Sequence, residues 1–136
     1  TPKNAQTVTI KPQIDNNIKQ VQYNLNRVMN SNLVVDGING TQTKLAVSNF
    51  QKIMGLQVDS IPGTNTNAAL NQILSFPQCQ YGSNNYATRY LQYRFGISID
   101  GKFGSQTKQA VITYQKRYKL SADGIVGPQT WKQLFK

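Results

Sequence analysis

The pattern Asp-x-x-x-Gly-x-x-Thr occurs four times in this chain, and that repetition constrains the fold more than any other feature. The copies are Asp36/Gly40/Thr43, Asp59/Gly63/Thr66, Asp100/Gly104/Thr107 and Asp123/Gly127/Thr130. They pair into a longer repeat, because the run from Asp36 to Thr43 returns 64 residues further on as Asp100 to Thr107. At the same offset Ala46-Val47 meets Ala110-Val111, Phe50-Gln51-Lys52 meets Tyr114-Gln115-Lys116, and Leu70 meets Leu134. Ungapped agreement of this length marks two copies of one supersecondary unit, each needing a neighbour to cover its apolar face.

The motif reads as a turn entering a helix. Aspartate accepts hydrogen bonds from backbone N–H groups in an Asx-type turn, and its charge lies near the positive end of the following helix. Glycine permits a backbone conformation that other residues resist, and Pro128 suits a first helical position. Asp36, Asp59, Asp100 and Asp123, with Gly40, Gly63, Gly104 and Gly127, are therefore expected to be structural turn and cap residues. The competing reading, acid–base groups or calcium ligands, is weaker because each loop supplies a single carboxylate.

Helical periodicity follows each turn. Ala46, Val47, Phe50 and Met54 share a face, as do Ala110, Val111, Tyr114 and Tyr118. Ala69, Leu70, Ile73 and Leu74 form a shorter stripe, and so do Trp131, Leu134 and Phe135. Leading helices are expected through Ile18, Val21, Leu25 and Val28, and through Tyr90, Leu91 and Phe95. The fold class predicted is all-α: two tandem three-helix repeats at 14–75 and 84–136, joined by a short connector at 76–83. Residues 1–13, with two prolines and no helical period, are expected to be a linker from an upstream domain. The start at Thr1, with no initiator Met and no signal peptide, is expected to mark a fragment or a processed product.

The ionisable inventory narrows the chemistry. Histidine is absent, the five acids are all aspartates, and Cys79 is the one cysteine. No Ser-His-Asp or Cys-His relay can be assembled, and the common zinc sites lack their ligands. A glycosidase of the usual kind would need two carboxyl groups flanking one bond, and the pairs available are turn aspartates. No catalytic residue, metal or cofactor is expected, and Cys79 is expected to be an incidental free thiol. No apolar run is long enough for a membrane span. The net charge of +10 draws the chain to polyanions, and by itself leaves nucleic acid, anionic membrane and wall polymers open.

The second repeat resembles the peptidoglycan-binding domain 1 family. The resemblance rests on Leu91-Gln92, the run Asp100 to Thr107, Ala110-Val111, Tyr114-Gln115-Lys116, and the run Leu120 to Leu134 with its Asp123-Gly124-Ile125-Val126-Gly127-Pro128 core. The first repeat is similar through Val21-Gln22, Asp36-Gly37, Gly40, Thr43, Ala46-Val47, Phe50-Gln51-Lys52 and Gly55-Leu56. It departs at Ser60, Pro62 and Asn67, the last standing where the second repeat has Trp131. The resemblance implies a three-helix fold and a non-catalytic module that targets an attached murein hydrolase, of autolysin, spore-cortex or phage-endolysin type, to bacterial peptidoglycan or an associated anionic wall polymer. It implies an upstream catalytic domain in the same polypeptide and action at the extracellular cell wall, by a bacterial or a phage-encoded protein.

A groove for murein needs amides, aromatic surface and a few cations. Candidate contacts are Arg94, Phe103, Gln106, Tyr114 and Trp131 in the second repeat, and Asn39 and Gln42 in the first. Core packing is the competing reading for the three aromatics. The alternative functions are a structural or assembly module using the fold for protein contacts, and a basic nucleic-acid-binding domain. The latter lacks a basic stripe interleaved with aromatics, and no nucleic-acid partner is expected.

Overall fold

Helix boundaries follow the motif spacing. In a computed structural model, which describes residues 13–136, the chain forms α1 (Asn16–Met29), α2 (Thr41–Met54), α3 (Thr64–Leu74), α4 (Tyr86–Phe95), α5 (Ser105–Arg117) and α6 (Pro128–Leu134). The expected linker lies outside the described residues except for its last position. Four of the six helices begin directly after a motif glycine, and α1 and α4 begin after Asp15 and Asn85. Those two side chains cap their helices: Asp15 accepts from the N–H of Asn17 and Ile18, and Asn85 from that of Thr88. At the other end α2 and α4 stop at Gly55 and Gly96 in the left-handed conformation, where backbone N–H groups turn back onto the last carbonyls.

The architecture is all-α, as the tandem pattern implies. One hydrophobic core runs through both repeats. Val21, Leu25, Val47, Phe50, Leu70 and Ile73 from the first repeat are continuous with Tyr90, Leu91, Val111, Trp131 and Leu134 from the second. Burying each such side chain contributes about 1.5–3 kcal/mol, so the shared interface is a large share of the chain's stability. Helix α4 is the pivot, packing against α2 and α3 as well as α5.

Residues 76–83 do more than connect the two copies. Phe76 stacks on Trp131 with ring centroids 5.6 Å apart, and the Trp131 indole N–H donates to the Pro77 carbonyl at 2.7 Å. Cys79 is fully buried and forms an antiparallel bridge with Val126. Gly82 and Ser83 exchange backbone hydrogen bonds with Phe103. This short segment thus closes the second repeat from outside its helices. Among the described residues no helix is long and apolar enough to cross a membrane.

Candidate functional site

Each aspartate turn is built around a buried glutamine. Gln22, Gln51, Gln92 and Gln115 are almost wholly inaccessible, and each points its side-chain amide into the loop that follows its helix. The Nε2 groups donate to Asp36, Asp59, Asp100 and Asp123 at 2.9, 2.9, 2.9 and 3.1 Å. The same nitrogens lie 3.0–3.2 Å from the hydroxyls of Thr43, Thr66, Thr107 and Thr130. They also meet the carbonyls of Ile38, Ile61, Lys102 and Ile125. On the other side of the amide, Oε1 of Gln92 accepts from the N–H groups of Asp100 and Gly101, and Gln22 and Gln51 do the same in their loops. Gln115 accepts from the N–H of Gly124. One glutamine therefore satisfies several loop groups that burial would otherwise leave unpaired.

Each motif aspartate is held within its own loop. Oδ1 of each one also accepts from the N–H two residues on, at Ile38, Ile61, Lys102 and Ile125. In Asp36 the bond from Gln22 is the first cause holding the carboxyl below its ordinary value of 3.8. In Asp59 and Asp100 the N–H bonds from Ile61 and Lys102 lead, followed by the glutamines. A carboxylate stabilised in its charged form is a poor proton donor at neutral pH.

The motif glycines cap their helices as expected, but without the special backbone conformation expected of them. Gly40, Gly63, Gly104 and Gly127 are N-caps in extended conformation, with φ from −81° to −112°, which any residue adopts. The position that needs glycine directly follows the aspartate. It is Gly37, Gly101 and Gly124, at φ 75–78°, and Ser60 fills it in the remaining loop at φ 62°.

A concavity of about 720 Å³ lies between α4 and α5. It brings together three sequence-selected residues, Arg94, Gln106 and Tyr114, and adds Thr113, Arg117 and Tyr118. Tyr114 is partly buried, between Phe95 and Tyr118, and burial is the first cause raising its phenol pKa. Arg94 is already engaged: its guanidinium donates to the Tyr90 hydroxyl at 2.7 Å and to the Leu134 carbonyl at 3.0 Å. The corresponding concavity of the first repeat, about 500 Å³, is lined by Gln42, Asn49, Lys52 and Tyr93 among others. The residue matching Tyr114 there is Phe50, which is fully buried.

Two candidates are corrected. Phe103 and Trp131 cannot contact a wall ligand, because they are 2% and 0% exposed and their rings form the core. Asn39 stands at the turn position equivalent to Phe103, outside the groove lining, with a buried Oδ1 that has no hydrogen-bond partner. Sequence reasoning missed Arg117 and Tyr118 in the groove, and all four hub glutamines. For the glutamines a signal existed: Gln51, Gln92 and Gln115 each precede their aspartate by eight residues.

The comparisons with known proteins agree with this architecture. Residues 15–70 and 87–134 match the family described as "Putative peptidoglycan binding domain". The chain is 50% identical over 123 residues to an autolytic lysozyme of Clostridium acetobutylicum, covering 89% of this chain and 38% of that protein. It is 33% identical over 116 residues to the N-acetylmuramoyl-L-alanine amidase CwlM of Mycobacterium tuberculosis, covering 69% of this chain and 26% of that protein. It is 42% identical over 62 residues to a zinc D-Ala-D-Ala carboxypeptidase of Streptomyces albus G, covering 40% of this chain and 24% of that protein. The chain thus spans well under half the length of these relatives. No solved structure matches. Both halves of the chain carry the family's pattern on the helices and loops that form its fold, and the chain belongs to the peptidoglycan-binding domain family.

Proposed function

We propose that this chain is a non-catalytic module that binds bacterial peptidoglycan and holds an attached murein hydrolase against it, outside the cell. The observation that carries this reading is the groove between α4 and α5. It gathers Arg94, Gln106, Thr113, Tyr114, Arg117 and Tyr118 in one concavity with no acidic residue in its lining. Murein presents N-acetyl groups, hydroxyls, amides and peptide carboxylates. Tyr114 and Tyr118 offer ring surface to sugar and acetyl faces, Gln106 and Thr113 offer hydrogen bonds, and Arg117 offers charge. Gln42 occupies the corresponding place in the first repeat and is the weaker contact, since the ring of Phe50 is withdrawn into the core.

The aspartates support the absence of catalysis. Each of the four motif aspartates accepts from its own glutamine and its own loop N–H, a structural duty that competes with proton transfer. The similarity to parts of a lysozyme, an amidase and a carboxypeptidase, proteins of different printed activities, fits a shared binding part.

The test is co-sedimentation with purified cell-wall sacculi beside a DNA mobility shift at matched salt, with muropeptide release measured in parallel. Retention on sacculi without release is the expected result. Tight DNA binding with no wall retention, or released muropeptides, would overturn the reading.

A further inference from the structure

Three concavities on this molecule are linked by shared lining residues of α4. Tyr93 lines both the groove of the first repeat and a second concavity of about 400 Å³ at the repeat junction. Arg94 lines that junction and the groove of the second repeat. The junction exists only because the repeats are docked: its walls come from the end of α1, at Arg27, Val28 and Asn30, and from the segment Leu134 to Lys136.

The charged side chains of this lining have one sign. Lys52, Arg27, Arg94, Lys136 and Arg117 line the three concavities, and no aspartate does. Asp59 and Asp123 line separate concavities beside their own glutamines. Aromatic surface alternates with the cations, since Tyr93 and Tyr118 are 39% and 40% exposed and Tyr114 lies between Phe95 and Tyr118.

We propose that the three concavities form one binding track, occupied by a single extended amino-sugar strand bearing peptide carboxylates that engages both repeats at once. This rests on the wall-binding reading above and adds the manner of binding. A strand bound at both grooves gains from the raised effective concentration of its second contact, so affinity should grow with strand length beyond simple statistics. Arg27 and Lys136 line the junction alone, between the grooves, where a ligand of one repeating unit bound at either end would not reach them.

The experiment uses the whole chain and fluorescent glycan–peptide fragments, compared as single disaccharide-peptide units and as strands of about four to eight units. Arg27→Ala alters a residue that lines the junction concavity, and Lys132→Ala removes the same charge from an exposed position of α6 that lines none of the three concavities. Thermal midpoints establish that both variants are folded. The expected result is long-strand binding at least about tenfold tighter than single-unit binding. Arg27→Ala should weaken long-strand binding about fivefold, and Lys132→Ala should leave it within about twofold.

Equal affinity for long and short fragments, with sacculi still retained, would overturn the single-track proposal and leave the wall-binding reading standing. Equal losses in the two variants would reduce the effect to net charge and overturn it likewise. Tighter binding of a polyol-phosphate wall polymer than of the glycan strand would overturn the assigned occupant. Absence of any binding to sacculi would sink the proposal together with the reading beneath it.

Discussion

The Tyr90 hydroxyl donates a 2.8 Å hydrogen bond to the Val28 carbonyl, joining the second repeat to the C-terminal end of α1 in the first. Two arginines of the same helix make comparable contacts. Arg89 Nε donates to the Ile53 carbonyl in the last turn of α2, and Arg94 donates to the Leu134 carbonyl at the end of α6. Helix α4 therefore places donors on the carbonyl ends of three other helices, where the helix dipole favours positive charge. In return Gln72 of α3 accepts from the N–H of Ala87 at the start of α4.

The repeats are therefore expected to unfold together. Urea denaturation followed by Trp131 fluorescence and by far-ultraviolet circular dichroism should give one coincident transition. A fragment holding 84–136 alone should lack stable helix, because Tyr90 and Leu91 lose their cover. Two separated transitions, or a folded fragment, would contradict this.

The glutamine hubs should dominate local stability. Gln92→Leu leaves the Thr107 hydroxyl and the N–H groups of Asp100 and Gly101 without their partner, and a loss of about 2–4 kcal/mol is expected from the urea midpoint. A loss under about 0.5 kcal/mol would show that the hub is dispensable.

Glycine substitutions should separate the two loop positions. Ser60 holds φ 62°, so Ser60→Gly is expected to stabilise by about 0.5–1 kcal/mol. Gly101→Ala, at φ 78° with its Cβ site 3.4 Å from Arg89 and Asn84 side-chain atoms, should destabilise by about 1 kcal/mol or more. Gly63→Ser should be neutral or slightly stabilising, since that N-cap is extended, meets nothing within 4 Å and lacks a side-chain acceptor. Thermal melts of the three variants check the order.

Acidification should weaken the fold. Asp36, Asp59 and Asp100 have folded-state pKa values below their ordinary 3.8, so the folded protein binds fewer protons than the unfolded chain in this range. Their contribution is fully present above the unfolded value and is lost as pH falls through the folded values. Urea midpoints should be flat from pH 7 to about 5 and decline below about 4. Asp59→Asn should shrink that decline.

Cys79 should be silent in the native state. Burial pushes its thiol up to about 11, and the side chain is fully inaccessible. A thiol reagent should react only after denaturant is added, since the thiolate is the reactive form. Rapid labelling without denaturant would contradict the packing of residues 76–83.

Much of this fold was legible in the sequence because it rests on local chemistry. The four turns, the helices beginning after Gly40, Gly63, Gly104 and Gly127, and the tandem arrangement all follow from short-range pattern. What escaped depends on tertiary contact. Phe103 and Trp131 carry the composition of a binding face, and only the packing of Phe76, Pro77 and Tyr90 around the indole makes Trp131 core. The glutamines escaped because a buried amide on a helix resembles a solvated one until its loop partners are known. The first hub also breaks the spacing, with Gln22 lying 14 residues before Asp36 where the others lie eight. Of the groove, Arg94, Gln106 and Tyr114 were selected, while Arg117 reads as ordinary surface and Tyr118 as part of the apolar face of its helix.

The most direct test of wall binding through the groove is an amide NMR titration with a soluble muropeptide. The expected outcome is a set of large shifts confined to residues around Gln106, Thr113, Tyr114, Arg117 and Tyr118, with smaller ones near Gln42 and Asn49. Shifts centred on the loops of Asp59 and Asp123, or weak uniform shifts over the whole surface, would contradict it.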